Sequence, residues 1–258
     1  MFEGSRLKVE RAKKHIADLD SEITSYLSRK PFALRLKEQA AQCAWIIETK
    51  IPIPLQFSLV LGDAIHNMRA ALDLLIFEMI GDKAASAEAV FFPFCKDGKS
   101  YVSTVTGRQI QLAGKNVLAA INTLEPYQGG DDLLYGIHQL DIADKHRLVL
   151  TVALASDVHA RDIKALHPKS EIPNDGIYRF MTDRPLVVKR NFVNREMQRA
   201  AERDKRITHI ESKFQPTFRI CLGKGQPFAY APVIDTVTAG AKRIGEVVEM
   251  LIVAYNRK

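Results

Sequence analysis

The fold is decided by residues 54–80, which read PLQFSLVLGDAIHNMRAALDLLIFEMI. The run has no internal proline and lies between Pro54 and Gly81, and these two residue types are typical boundaries of a helix. At about 100° per residue, one face of the predicted helix carries the side chains of a core stripe: Leu61, Ile65, Met68, Leu72, Leu75 and Met79. Because the sequence is apolar on most sides, we expect this helix inside a bundle.

Three polar side chains share a second face of this helix. His66, Arg69 and Asp73 follow one another at intervals of three and four residues. Because burial of an unpaired charge is unfavourable, we expect these groups to be buried or in a cleft and to have partners. Arg69 and Asp73 have the spacing of an intrahelical ion pair, so a purely structural role is an open alternative.

A second polar-bearing helix is predicted to begin at Asp131 or Asp132, either of which can cap it, and to contain LLYGIHQLDIADKHR. Its histidine, acidic residues and lysine recur at helical spacing. If these residues faced the polar side chains of the first helix, the two helices would enclose a polar pocket. The candidate catalytic residues are His66, Arg69, Asp73, His138, Asp141, Asp144, Lys145, His146 and Arg147. An interhelical salt-bridge network of the same residues is the alternative.

The other helices and strands are predicted from hydrophobic period and turn residues. Helices are expected over residues 5–29, 108–123 and 233–255, a hairpin over 32–50, and a turn at Asp97 and Gly98. Beyond residue 156, short β-branched and aromatic runs predict antiparallel strands.

The predicted fold class is therefore α+β: a helical bundle packed on an antiparallel β-sheet, with a C-terminal helix. We expect a single domain over residues 1–258. Its mainly helical part is 1–150, and its strand-rich, basic part with the C-terminal helix is 151–258.

Composition is that of an ordinary globular protein, with 258 residues of which 47% are hydrophobic and 26% charged. Three cysteines without pairing or zinc-site spacing predict a reducing, cytoplasmic location. No apolar run approaches the roughly 18–20 residues of a membrane span, so no membrane partner is expected. The sequence assigns no cofactor and no metal.

The net charge of +7 lies entirely in the second part of the chain. Residues 1–150 hold 18 basic and 18 acidic side chains, whereas residues 151–258 hold 19 and 12. The densest basic stretch, KRNFVNREMQRAAERDKR, is suited to contact phosphates, and its predicted nucleic-acid-binding residues are Lys189, Arg190, Arg195 and Arg199. A solvated surface helix with internal ion pairs is the alternative.

The strings GDAIHNMRAALDLLIFEMI, FFPF and LEPYQGGDDLLYGIHQLDIADKHR resemble a widespread bacterial family with an H-N-x-R-x-A-L-D helix and a D-K-H-R segment. The long helix also resembles, more distantly, HEPN domains, which are helical bundles, often dimeric, in which an Arg and a His on one helix act as a metal-independent ribonuclease. This resemblance implies RNA or a nucleotide as partner and a homodimer. Leu74 stands where that His is expected, so His66 or His146 would take its place.

The first candidate function is a HEPN-like, nucleic-acid-directed protein, as a metal-independent ribonuclease. His146 or His66 would deprotonate the 2′-hydroxyl, while Arg69 and Arg147 would stabilise the developing phosphorane charge.

Two further functions stay open. A metal-dependent hydrolase would use His66, Asp73, His138 and Asp141 as ligands of Zn, Mn or Fe between the two helices. A non-catalytic binding protein would keep the polar cluster for structure and use its basic part to meet a partner. The sequence leaves open whether the chain is an enzyme.

Overall fold

A computed structural model describes residues 1–39, 42–149, 151–161, 164, 177–182, 186–189, 208–211 and 217–257. These residues contain the helices α1 (Glu3–Ser28), α2 (Leu55–Ile80), α3 (Gly98–Gly107), α4 (Lys115–Leu124), α5 (Asp132–His146) and α6 (Val233–Asn256). They also contain the strands β1 (Phe32–Gln39), β2 (Gln42–Thr49), β3 (Thr151–His159), β4 (Ile177–Met181), β5 (Leu186–Lys189), β6 (Thr208–Glu211) and β7 (Thr217–Leu222). The fold class is α+β with a helical bundle, antiparallel strands and a C-terminal helix, as predicted.

The chain forms two compact units. The helical unit comprises Met1–Glu22, Leu55–Leu150 and Leu222–Lys258, and the strand unit comprises Ile23–Pro54 and Thr151–Cys221. The β1–β2 hairpin thus belongs with the strands that follow residue 150, while α6 belongs with the helices of the first part. The single domain expected from the sequence stays a prediction.

The strand unit is built on the hairpin predicted over residues 32–50. Strands β1 and β2 pair antiparallel from Phe32 opposite Thr49 to Gln39 opposite Gln42, and β6 and β5 extend this sheet in the order β5-β2-β1-β6. A second sheet has the order β4-β3-β7, in which β3 and β4 are antiparallel.

The core of the helical unit is centred on α2, which packs against α5 and α6. The stripe predicted from the sequence is buried, since Leu61, Ile65, Met68, Leu72 and Leu75 have no exposed surface and Met79 has 1%. Each buried side chain of this size contributes about 1.5–3 kcal/mol of transfer free energy. Among the described residues, no helix combines the length and apolar character needed to cross a bilayer.

Two local predictions are wrong. The helix expected over residues 108–123 is broken at Gly114, whose φ of +106° is accessible to glycine at low cost, so that a 3₁₀ turn (Ile110–Ala113) precedes α4. The Asp97–Gly98 step is not a turn but the beginning of α3. There, the Asp97 carboxylate accepts a hydrogen bond of 2.9 Å from the backbone N–H of Ser100 and caps the helix.

Candidate functional site

The polar faces of α2 and α5 meet inside the helical unit. Helix α5 begins where the sequence predicted, because Asp131 accepts a hydrogen bond of 2.9 Å from the backbone N–H of Leu134. The facing of the two helices, which the sequence left as an assumption, brings six predicted residues together in two neighbouring groups. The first group contains His66, Asp141 and Lys145, and the second contains Arg69, Asp73 and His138.

In the first group, a buried carboxylate is shared by two exposed side chains. Oδ1 of Asp141 lies 3.3 Å from Nδ1 of His66, and its Oδ2 lies 2.7 Å from Nζ of Lys145, one helical turn away. The side chain of Asp141 is 2% exposed, whereas His66 is 59% and Lys145 54% exposed. Of the two alternatives that the sequence left, burial or a position in a cleft, the structure excludes burial for His66, which stands at the solvent edge of the site.

The contact with Asp141 decides which nitrogen of His66 carries the proton. A carboxylate only accepts hydrogen bonds, so Nδ1 must donate, and Nε2 of the neutral ring keeps its lone pair. This is the tautomer that an exposed histidine needs to remove a proton from a bound molecule.

In the second group, the guanidinium of Arg69 has three partners. It forms an ion pair with Asp73, its Nε donates to Nδ1 of His138 at 3.2 Å, and its Cζ lies 4.8 Å from the centroid of the Phe94 ring. Asp73 accepts a second hydrogen bond, of 2.9 Å, from the backbone N–H of Phe92. The predicted ion pair of Arg69 with Asp73 is thus present, and it is tied to the segment that follows α2.

The aromatic residues of this group were not among the candidates from the sequence. The ring of His138 stacks on Phe94 with a centroid distance of 4.3 Å and an interplanar angle of 4°, and Phe92 adjoins Phe94 at 4.8 Å. The sequence feature that could have indicated them is the FFPF string, which is one of the three strings that carry the family resemblance. Only the structure shows that this segment lies against α2 and α5, where Phe94 contacts Arg69 and His138.

Burial and charge keep His138 neutral. Desolvation lowers the pKa of its imidazole to about 4, the nearby guanidinium of Arg69 lowers the pKa further, and Asp141 opposes this shift. At neutral pH the ring is therefore uncharged, and its Nδ1 accepts the hydrogen bond from Arg69.

Asp144 lies beside the first group, against α2. A Cβ atom added to Gly62 would come within 2.4 Å of Oδ2 of Asp144, so the carboxyl group fills the space that a side chain at position 62 would occupy. Burial raises the pKa of Asp144, the negative charges of Asp141 and Asp63 raise it further, and the backbone N–H of Val149 opposes the shift. Its Oδ1 is buried without a hydrogen-bond partner among the described residues.

The two candidates at the end of α5 are not part of these contacts. His146 and Arg147 are exposed at the end of α5, and their side chains make no ion pair or hydrogen bond with the described residues. Lys189 ends β5, and Arg190, Arg195 and Arg199 lie outside the described residues.

The donors of the alternative metal site do not converge. Asp73 and Nδ1 of His138 are both engaged by Arg69, while His66 and Asp141 pair separately. In the part of the chain that the structure describes, no group of three or more His, Cys, Asp or Glu side chains is arranged to hold a metal ion. The geometry therefore does not favour the metal-dependent hydrolase.

Position 74, where the HEPN pattern expects a histidine, lies against α1. A Cβ atom added to Gly4 of α1 would come within 2.8 Å of Cδ2 of Leu74, so Leu74 packs on that helix. Among the described residues, the histidines that reach the polar face of α2 are His66, from the same helix, and His138, from α5.

Similarity to known proteins does not assign the site. No family model, curated protein or solved structure matches this chain. The likeness to the bacterial family and to HEPN domains stays a prediction from the sequence. What the site can do follows from its side chains, which offer an oriented exposed base, adjacent cations and a neutral, anchored histidine.

Proposed function

We propose that the protein is a HEPN-like, nucleic-acid-directed protein that cleaves RNA without a metal ion, with His66 as the general base. The observation that carries this proposal is the 3.3 Å contact between the exposed His66 and the buried carboxylate of Asp141. That contact orients the ring and leaves the Nε2 lone pair free to accept a proton.

In the proposed reaction, Nε2 of His66 takes the proton of a ribose 2′-hydroxyl, and the 2′-oxygen attacks the adjacent phosphorus. The bond from phosphorus to the 5′-oxygen then breaks, this oxygen takes a proton from water, and the hydroxide formed takes the proton that His66 holds, which restores the base. The products are a 2′,3′-cyclic phosphate and a 5′-hydroxyl. Lys145, which shares the Asp141 carboxylate with His66, and Arg147 at the end of α5 supply positive charge for the phosphorane.

His66 is better suited to this role than His146. Both side chains are exposed, but His146 has no side-chain partner among the described residues, whereas Asp141 fixes the tautomer of His66. An oriented base loses less freedom when the substrate binds, which favours reaction.

The charge of the chain supports RNA as the partner. The net charge of +7 comes from residues 151–258, and Lys145 in the last turn of α5 adds an exposed cationic group beside His66. The homodimer implied by the HEPN resemblance and a cytoplasmic location belong to the same proposal, and light scattering of the purified protein tests the dimer.

The test is cleavage of a mixed-sequence RNA in excess EDTA by the parent protein, His66→Ala and His146→Ala. We expect the parent and His146→Ala to cleave, and His66→Ala to be slower by about 10²–10⁴-fold, the usual contribution of a general base. His146 is the matched control because it is an exposed histidine with no side-chain partner among the described residues.

Other outcomes overturn the proposal in distinct ways. Loss of cleavage only in His146→Ala would transfer the base to that residue, and equal cleavage by all three proteins would identify a contaminating nuclease. Cleavage that needs added Zn²⁺ or Mn²⁺ would establish the metal-dependent hydrolase instead. RNA binding without any cleavage would leave a non-catalytic binding protein.

A further inference from the structure

The contact between Arg69 and His138 fixes the protonation state of the second histidine. A guanidinium has only donor groups, and Nε of Arg69 lies 3.2 Å from Nδ1 of His138. Nδ1 must therefore carry a lone pair. In the neutral ring, the proton is then on Nε2, which is the opposite tautomer from that of His66.

The orientation of the His138 ring is fixed as well. The ring stacks on Phe94 at 4.3 Å, and Cζ of Arg69 lies 4.8 Å from the same centroid. Because Arg69 and His138 are in direct hydrogen-bond contact, they lie side by side over one face of Phe94. The ring is thus held by a hydrogen bond at one edge and an aromatic surface below it.

Protonation of His138 is opposed by its surroundings. A second proton would have to enter on Nδ1, against the guanidinium of Arg69. The charged groups around the ring are Arg69, paired with Asp73, from α2, and Asp141 and Lys145 from α5 itself. Burial and the cations outweigh Asp141 and lower the pKa of His138 to about 4, so the ring stays neutral at physiological pH.

The remaining nitrogen of His138 is free to bind a ligand. Nε2 makes no hydrogen bond with the described residues, and it is not sealed from solvent. The ring of Tyr135 also lies near the His138 ring, with a distance of 6.0 Å between the ring centroids. An N–H donor with a fixed orientation, next to a guanidinium, is well placed to bind an anionic oxygen.

We infer that His138 is a fixed hydrogen-bond donor to a phosphate oxygen of bound RNA, held in the neutral Nε2–H form by Arg69. The inference rests on the proposed function for the identity of the ligand. It divides the roles of the two histidines, since His66 exchanges a proton with the substrate while His138 binds it without titrating.

The first test is NMR of the full chain labelled with ¹⁵N-histidine. We expect the His138 ring, identified as the signal lost in His138→Gln, to show an unprotonated Nδ1 and a protonated Nε2 throughout pH 5.5 to 8. A ring that titrates in this range, or one with its proton on Nδ1, overturns the inference without any reference to RNA or activity.

The second test adds a 2′-O-methyl RNA oligonucleotide, which cannot be cleaved because its 2′-oxygen carries no proton. The Nε2–H signal of His138 should shift on binding. His138→Phe, which keeps an aromatic ring but has no donor, should weaken binding about tenfold, the equivalent of one charge-assisted hydrogen bond. His138→Gln, whose amide nitrogen can replace Nε2 as donor, should recover most of the affinity.

His66→Ala separates this inference from the proposed function. It should bind the oligonucleotide as the parent does, since the role of His66 lies in proton transfer. A protein that fails to cleave RNA but shows the His138 shift refutes the proposed reaction and leaves the donor in place. Binding with no His138 shift, or no binding at all, overturns the donor role.

Discussion

The carboxylate of Asp141, 2% exposed, lies 3.3 Å from Nδ1 of His66, whose side chain is 59% exposed. The acid thus holds the ring from inside the helical unit, while the opposite edge of the ring meets solvent. Lys145 binds the other carboxylate oxygen at 2.7 Å, which balances the buried charge. In this arrangement the buried Asp141 fixes the tautomer of His66, and Nε2 of His66 stays accessible to a bound molecule.

Asp141→Asn should slow RNA cleavage by about 10²–10⁴-fold without weakening RNA binding. The amide can turn its NH₂ group toward Nδ1, which would place the ring proton on Nε2 and remove the base. Single-turnover cleavage and fluorescence anisotropy measure the two properties separately. Asp132→Asn, in the exposed first turn of α5, is the matched control and should change neither. Unchanged cleavage by Asp141→Asn would show that the contact with His66 has no part in the reaction.

Arg69→Ala should lower the free energy of unfolding by about 2–4 kcal/mol, because it leaves Asp73 unpaired and removes the contact with Phe94. Urea denaturation at pH 7 measures the change. Arg108→Ala is the control, since Arg108 also lies over an aromatic ring, that of Phe91 at 5.0 Å, but has no ion pair among the described residues. We expect the control to lose about 0.5–1 kcal/mol. Equal losses in the two variants would contradict a structural role for the Arg69–Asp73 pair.

His138 should make the protein less stable as the pH falls from 6.5 to about 4. Its pKa is 6.5 when unfolded and about 4 when folded, so in this range the unfolded chain binds a proton that the native ring does not. The contribution of His138 to stability is therefore complete above about pH 6.5, and its loss removes about 2 kcal/mol between pH 7 and pH 5.

The contribution of His138 is isolated by comparing urea denaturation of the parent and His138→Gln at pH 7 and pH 5. The variant has no ionisable group at this position, so its stability should fall less over the same interval. If both proteins lost the same stability, the native ring would have to be protonated as readily as the unfolded one.

Asp144→Asn should stabilise the protein at pH 7. Burial and the acids Asp141 and Asp63 raise the folded-state pKa of Asp144, so its favourable contribution is complete at pH values below the unfolded pKa and is lost as the pH rises through the folded pKa. Thermal unfolding at pH 7 and pH 3.5 should show an advantage of the variant that disappears at the lower pH.

Asp97→Asn gives the control of opposite sign. Hydrogen bonds from the backbone and side chain of Ser100 lower the pKa of Asp97, so its ionised form stabilises the fold. This variant should be less stable than the parent at pH 7, and the difference should shrink as the pH falls. A stabilising Asp97→Asn and a destabilising Asp144→Asn would together reverse both assignments.

Gly136→Ala should lower the free energy of unfolding by about 1–3 kcal/mol, because a Cβ atom there would come within 2.0 Å of Cζ of Phe228. Phe228 has a φ of +56° and its carbonyl accepts a hydrogen bond of 2.9 Å from the backbone N–H of Ala231, which restricts its retreat. Gly107→Ala, with nothing within 4 Å, is the control and should be neutral or slightly stabilising. Urea denaturation measures the free energy of unfolding of both variants. If Gly136→Ala left it unchanged, Phe228 would have to move aside without cost.

The sequence by itself determined the elements whose information is local. The boundaries of α2 follow from an apolar run between Pro54 and Gly81, and the start of α5 from a capping carboxylate at Asp131 or Asp132, of which the structure uses Asp131. Helical spacing also placed His66, Arg69 and Asp73 on one face. These predictions held because hydrophobic period and capping act over a few neighbouring residues, whereas at Gly114 a single backbone angle overrode the same periodicity.

Only the tertiary structure decided which of these residues meet. Spacing along α2 cannot reveal that His66 pairs with Asp141 on α5 while Arg69 turns to His138, or that Phe94 supplies the surface under both Arg69 and His138. These contacts depend on the depth and register at which two helices and a later segment pack together. Burial then sets the chemistry: two histidines with the same intrinsic basicity become an exposed, oriented base and a neutral, anchored donor.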